Sequence, residues 1–416
     1  MVVLSKPVAE RAQTIISLRL IPNCITKVKS ERRRPFIGDQ MEDCKDYSQM
    51  FYLIPFSKGY LVNWDLERQI WDYVFKTKLK VDFSDTTLII TEPTLNFKPI
   101  QENMTEILYE EYGFASLLRA TGPQLAAHKY YSDNKSSLAC LVVDSGFSFT
   151  HIVPFIKDKR VKESIRRIDC GGKALTNHLK DIISYRQLNV LDETYVVNQA
   201  KEDCCYVSNQ FWKDMEICKD RRNAILRDYV LPDYTVLKRG YVRDPKDTTP
   251  ITDHQVIRMN NERFQVPELL FHPSDVGIDQ LGVSHTVAHS IQTIQEEVRP
   301  HLYENILLIG GNCGFSGFQD RVQTDVRSMA SHLYDVNVSV PPNPLTYVWQ
   351  SGKYVAQNTD LLSKLSVTKK EYEEQGLAFY LTSLLSVLSE DVTNHSTFET
   401  IGQTFQSLLS FTLQKS

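Results

Sequence analysis

Residues 139–154 read ACLVVDSGFSFTHIVP, and the reading of the whole chain turns on them. An apolar run from Ala139 to Val143 ends in Asp144, Gly146 follows two residues later, and a strand-like pattern resumes over residues 149–153. This predicts strand, tight turn, strand. Glycine at 146 lets the backbone turn closely, so that peptide N–H groups can face an anion, with Asp144 placed to hold a divalent ion through water. The same residues also fit an ordinary hairpin with a polar turn, because lone Asp-x-Gly turns are common.

A second stretch, NILLIGGNCGFSG at 305–317, has a related form. Residues 306–309 are a short buried-strand pattern, and Gly310-Gly311 ends it. Phe318, Val322 and Val326 then recur at helical spacing. A glycine pair between a strand and a helix is another place where backbone can approach a ligand. Two such elements predict a nucleotide cleft between two α/β lobes.

These two stretches together resemble the actin superfamily. So do LVNWDLERQIWDYVF (61–75), LIITEPTLNFKPIQENMTEILYEEY (88–112), VNQAKEDCCYV (197–207), ERFQVPELLFHPSDVGI (262–278) and Tyr347-Val348-Trp349. The likeness runs from about residue 21 to 376. SERRRPFIGDQ, GGKALTNHLKDIISYRQLNV and DYVLPDYTVLKRGYV are similar to a nuclear branch of that superfamily, subunits of histone-exchange chromatin remodellers. The resemblance implies two lobes, each a mixed sheet flanked by helices. The first would take residues 1–138 and 326–376, with a small outer subdomain at 22–56. The second would take 139–325, with an outer subdomain at 176–261. It also implies ATP or ADP with Mg2+ held by Asp144, Ser145, Gly146, Gly310, Gly311 and Phe315. Lys201 and Glu202 would sit by adenine and ribose, and His151 beside the attacking water.

The chain departs from the family pattern in several places. Val2-Val3-Leu4 looks like the family's first strand, equivalent by duplication to Leu141-Val142-Val143. Ser5-Lys6-Pro7-Val8 follows instead of a phosphate loop, and no glycine occurs before Gly38. Proline cannot donate to a phosphate or a ladder. The family's water-orienting glutamine falls near Ala127 and His128, neither an amide. Phe147 replaces the second acidic residue of the hairpin, and Leu345 stands about where a lysine would meet the adenine. Gly314 and Phe315 replace the hydrophobic and tyrosine positions after the glycine pair.

The composition is that of a soluble globular chain: 416 residues, 42% hydrophobic, 24% charged, net charge −4. No global basic field draws it onto nucleic acid, so any such contact is local. The eight cysteines form no CxxC pair and have no histidine at zinc spacing, which predicts reduced thiols and no metal site. The first twenty residues lack a signal-peptide core, and no apolar run approaches a membrane span of ~18 residues.

Leu66, Ile70, Tyr73 and Val74 mark a helix face capped by Asn63 or Asp65. Met104, Ile107, Leu108 and Tyr112 mark another, and Leu175, Leu179, Ile182 and Ile183 a third after Gly171-Gly172. One helical stretch is predicted over 193–215. Residues 220–261 read as a surface insertion with a hairpin over 229–242. The tail 377–416 carries two apolar helical faces, and the core is expected to close before it.

Two function classes follow. One is a non-catalytic nucleotide-binding scaffold in the nucleus. Its partners would be other remodeller subunits, nucleosomal histones or DNA through the complex, and heterochromatin protein, with no membrane. The other is an ATP-hydrolysing or filament-forming actin-like protein. The missing phosphate loop and water-orienting amide favour the scaffold. In KVKSERRR (27–34), five of eight residues are Lys or Arg, which reads as a nuclear signal, a docking contact or a solvated loop. Charge reversal of Arg32, Arg33 and Arg34 is expected to lower nuclear signal or recovery of the remodeller without changing thermal stability. Unchanged imaging and unchanged co-purification would leave only a solvated loop.

Overall fold

A computed structural model of the chain describes residues 2–5, 18–29, 34–44, 47, 50–247 and 254–374. The tail 377–416, Arg32 and Arg33 of the basic run, and residues 248–253 of the insertion lie outside these. The chain folds into two α/β lobes, each built on a mixed sheet.

In the first lobe, Thr87–Glu92 runs parallel to Ser116–Thr121, with Val2–Ser5 and Val367–Thr368 at the edges. Leu88, Ile89, Leu117 and Leu118 are fully buried because helices cover the sheet. Phe75, Tyr109, Tyr112 and Phe114 complete that core. The helix Trp64–Asp72 starts where Asn63 accepts the Leu66 amide at 3.0 Å, so Asn63 is the cap. The edge strand Val2–Ser5 is antiparallel to Thr87–Glu92. The expected equivalence with Leu141-Val142-Val143 therefore fails, since that segment pairs in parallel with its own lobe's strand.

The second-lobe sheet is ordered Lys159–Arg160, Thr150–Ile156, Ala139–Ser145, Ile306–Ile309, Val338–Ser339. Ala139–Ser145 forms an antiparallel hairpin with Thr150–Ile156 and a parallel pair with Ile306–Ile309. One face packs under the helices Gly172–Arg186, Val283–Gln292 and Phe318–Met329, where Phe318, Val322 and Val326 are fully buried. The other meets Ala126, Ala127 and Tyr347, from the helices Gly122–Asp133 and Tyr347–Gln357. That second packing joins the lobes at the sheets.

A small sheet of Phe36–Ile37, Ile25–Lys27 and Phe51–Leu53 forms the first lobe's outer part. Lys27 and Lys29 are exposed there, and Arg34 lies over the Phe36 ring at 4.8 Å. The insertion is a three-stranded sheet, Tyr241–Val242, Arg227–Val230 and Val256–Met259. The single helix expected over 193–215 is two, Thr194–Cys204 and Phe211–Ile217. Between them the Tyr206 amide donates to Arg263 O and the Val207 amide to Ser316 O, so the backbone leaves the helix for partners far along the chain.

Within the second lobe, Arg321 grips Glu268 with two hydrogen bonds of 2.9 and 2.7 Å, and its Nε reaches Asp325. Both Arg321 and Glu268 are largely buried. Removing one partner leaves the other's charge desolvated. Arg321→Ala is expected to lower unfolding free energy by about 3 kcal/mol in urea titration, and adding Glu268→Leu to recover part of the loss.

Candidate functional site

The parallel register sets Ile309 opposite Asp144. Gly310-Gly311 and Gly146 therefore leave the sheet side by side, at the carboxyl ends of neighbouring strands, where open α/β sheets bind ligands. Gly310 has φ +95°, and a Cβ there would lie 2.3 Å from Ser145 O. No other residue fits so close to a backbone. Asn312 donates to Ser145 Oγ at 3.1 Å and Gly146 O at 2.8 Å, and Ser145 Oγ also meets Thr150 Oγ1 at 2.9 Å.

The Gly146 amide closes the hairpin turn onto Phe149 O at 3.0 Å. That amide is therefore spent within the turn. Among the described residues, the Phe147 and Ser148 amides donate to no protein acceptor. The turn packs on the start of the helix Gly172–Arg186, whose Gly172 and Lys173 amides donate to Gly146 O and Phe147 O at 3.0 and 2.8 Å. Gly171 fits only as glycine, since a Cβ would come within 2.7 Å of both carbonyl oxygens.

Asp144 faces the first lobe. A Cβ on Gly122, the first residue of the helix Gly122–Asp133, would lie 3.3 Å from Asp144 Oδ2. The position opposite the carboxylate is thus Gly122, and not the stretch near Ala127 and His128 to which the glutamine was assigned. Ala127 is buried in the lobe junction, and His128 pairs with Asp158. The resemblance pointed to the right helix and the wrong turn of it.

His151 stands directly across the hairpin from Asp144 and is fully buried. Neither ring nitrogen has a hydrogen-bond partner. Phe149 lies over it at 4.3 Å. Sequence reasoning missed what seals this point. The Phe56–Ser57/Tyr60–Leu61 hairpin of the first lobe presses Gly59 (φ +80°) against the Phe149 ring. Arg167 lies between Tyr60 and Phe149, 4.8 and 4.7 Å from their ring centres. Its guanidinium donates to Tyr60 Oη at 2.7 Å and Lys58 O at 2.9 Å. The Lys58-Gly59 hairpin signal could have pointed to the turn, though not to its partner.

Lys201 is buried. Its ammonium donates to Gly172 O, Thr176 Oγ1 and Asn198 Oδ1 at 3.3, 3.0 and 2.9 Å, and burial lowers its pKa. Glu202 is exposed and accepts from Asn198. Phe315 is half-buried against the second-lobe core. Gly311 is exposed, with Leu345 Cδ1 3.7 Å from where its Cβ would be. Asp144, Ser145, Gly146, His151, Gly310 and Gly311 thus converge on one junction, and Lys201 reaches its edge through Gly172. Among the described residues no His, Cys, Asp and Glu cluster could hold a metal by itself.

Burial pushes the Asp144 carboxyl up to about 6. Burial, then the nearby Arg167 charge, pushes His151 down to about 3. The two act oppositely on stability. Asp144 titrates higher in the folded chain than unfolded, so its contribution is whole below pH ~4 and lost as pH rises through its folded pKa. His151 titrates lower, so its contribution is whole above pH ~6.5 and lost as pH falls. Asp144→Asn is expected to raise the melting temperature near neutral pH and to change it little near pH ~4. His151→Leu is expected to flatten the acid-side loss. Thermal unfolding across pH measures both, and profiles parallel to wild type would refute the assignment.

The chain matches the family model described as Actin over residues 12–381, a few residues beyond each end of the 21–376 stretch that carries the resemblance. It is 44% identical over 366 residues to actin-related protein 6 of Drosophila melanogaster, covering 86% of this chain and 92% of the relative. It is 38% identical over 383 residues to the actin-like protein ARP6 of Cryptococcus neoformans, covering 86% and 78%. It is 35% identical over 389 residues to actin-related protein 6 of Arabidopsis thaliana, covering 86% and 92%. With two mixed-sheet lobes and paired glycine turns at their junction, and with relatives in animals, fungi and plants that share this length, the chain belongs to the actin family.

Proposed function

We propose that the chain is a non-catalytic scaffold subunit of a SWR/SRCAP-type chromatin remodeller, the class that exchanges a variant histone into nucleosomes. It would join other subunits in the nucleus, meet histones or DNA through the complex, and contribute to transcription regulation and heterochromatin organisation. Support comes from relatives named actin-related protein 6 that match along most of their length. Among the described residues, no helix is long and apolar enough to cross a membrane.

The observation that carries the non-catalytic part is Gly122. Gly122, which stands opposite Asp144, brings no side chain to orient a water. The imidazole of His151, across the hairpin from that carboxylate, is buried under Phe149 with no polar partner to receive or return a proton. Hydrolysis of a phosphoanhydride depends on a positioned water together with preorganised charge around the phosphate. Gly122 supplies no group to position that water.

On this reading the second-lobe half of the cleft would take a nucleotide. The Phe147 and Ser148 amides, unused inside the protein, would hold phosphate oxygens, and Asp144 would face Mg2+. Bound ATP or ADP with Mg2+ would touch both lobes and so tie them together. Lys201 already spends its three donors on protein oxygens, so its part is to order the helix start at Gly172.

Two measurements test this. Thermal-shift titration with ATP and magnesium is expected to raise the melting temperature by mass action, since the ligand binds the folded cleft alone. Phosphate release from the same preparation is expected to stay at background. Sustained turnover abolished by Asp144→Ala or His151→Ala would overturn the scaffold reading. Affinity purification from nuclear extract with mass spectrometry tests the complex. Recovery of cytoskeletal proteins without remodeller subunits would favour the filament alternative.

A further inference from the structure

Two distant parts of the chain meet through tyrosines beyond the Arg167 contact. Tyr47 belongs to the first lobe's outer part. Its ring stacks on Tyr195, 5.2 Å between centres and 13° between planes. Tyr234 lies 5.5 Å from it on another side. Tyr195 stands at the start of the helix Thr194–Cys204, and Tyr234 lies between the insertion strands Arg227–Val230 and Tyr241–Val242.

The small outer sheet has strands of two or three residues. Sheets this short need outside packing to be stable. Its core, Val28, Phe36, Met41, Cys44 and Met50, is completed by Tyr47, Tyr52 and, from the other lobe, Tyr195. A second-lobe side chain therefore fills a first-lobe core.

The insertion is built to present Tyr234. That residue has φ +61°, a region bulky side chains rarely adopt. The turn is held there by Asp233, whose carboxylate accepts the Thr235, Val236 and Leu237 amides at 2.9 Å each. The Tyr234 amide donates to Leu237 O at 3.0 Å. Arg239 ties the same hairpin to the Tyr195 helix through Asp203 at 3.0 Å. Such over-determined strain at an exposed turn points to a contact that needs it.

We propose that Tyr47, Tyr195 and Tyr234 form a clasp that holds the two lobes together. Opening the cleft then requires unstacking these rings, and the insertion serves as the strap that carries one of them. The inference is independent of the nuclear role and of whether a nucleotide binds.

Hydrogen–deuterium exchange on the full chain without nucleotide tests it. Tyr234→Ala is expected to speed exchange about five- to tenfold in Ile25–Lys27, Phe51–Leu53 and the 146–149 turn, the scale of one lost aromatic pair. Tyr234→Phe is expected to match wild type. Tyr47→Ala, on the opposite lobe, is expected to loosen residues 231–240. The double variant is expected to exceed neither single by much, because both open one contact. Wild-type exchange in the outer sheet of Tyr234→Ala would overturn the clasp, and so would fully additive effects. If Tyr234→Ala also melts the pairing of Arg227–Val230 with Val256–Met259, Tyr47→Ala decides. An unchanged 231–240 segment in that variant refutes the proposal.

Discussion

The contact between Gly310 and the Ser145 backbone governs this structure. A Cβ at 310 would stand 2.3 Å from Ser145 O, inside any allowed separation, and φ +95° excludes most other residues. The parallel register of Ile306–Ile309 on Ala139–Ser145 forces that approach. Asn312 then reaches back to Ser145 and Gly146, and the helix start at Gly171-Gly172 closes on the other side. Three segments separated by many residues share one junction made almost wholly of backbone. Such a junction leaves amides at the surface of a cleft without spending side chains on it.

The charged groups around that junction serve cohesion. Lys201 is buried without a carboxylate in contact, and it remains there because three oxygens accept its protons. Arg167 exchanges water for two aromatic faces, a tyrosine hydroxyl, a main-chain carbonyl and Asp169. Guanidinium suits this because it is weakly hydrated and planar. Asp144 and His151 carry the cost of desolvation in opposite senses, one favoured protonated and the other favoured neutral. Between the lobes the chain thus places rings and hydrogen-bonded cations. Asp144 turns a carboxylate toward Gly122 of the first lobe, and Asp158 pairs with His128.

Much of the fold was legible in the letters. The apolar runs at 139–143 and 306–309 are buried strands because nothing else hides five or four successive hydrophobic side chains in so short a length. Phe318, Val322 and Val326 are fully buried on one helix face, and Asn63 caps where a short polar side chain stands before an apolar period. The glycine pair foretold close backbone approach. These features depend on a few neighbouring residues, and local sequence contains them.

What only the tertiary structure decided are pairings across the chain. The helix expected over 193–215 breaks because Tyr206 and Val207 find acceptors on Arg263 and Ser316. Val2–Ser5 runs antiparallel because strand direction depends on the connection and not on apolar content. Gly122, with no side chain to signal its place, faces Asp144 from another lobe. Arg167 meets Tyr60, and Tyr47 meets Tyr195 and Tyr234, over separations of more than a hundred residues. Periodicity reports how much of a side chain is hidden. Which surface hides it is settled only when both lobes have folded and their faces compete for the same partners.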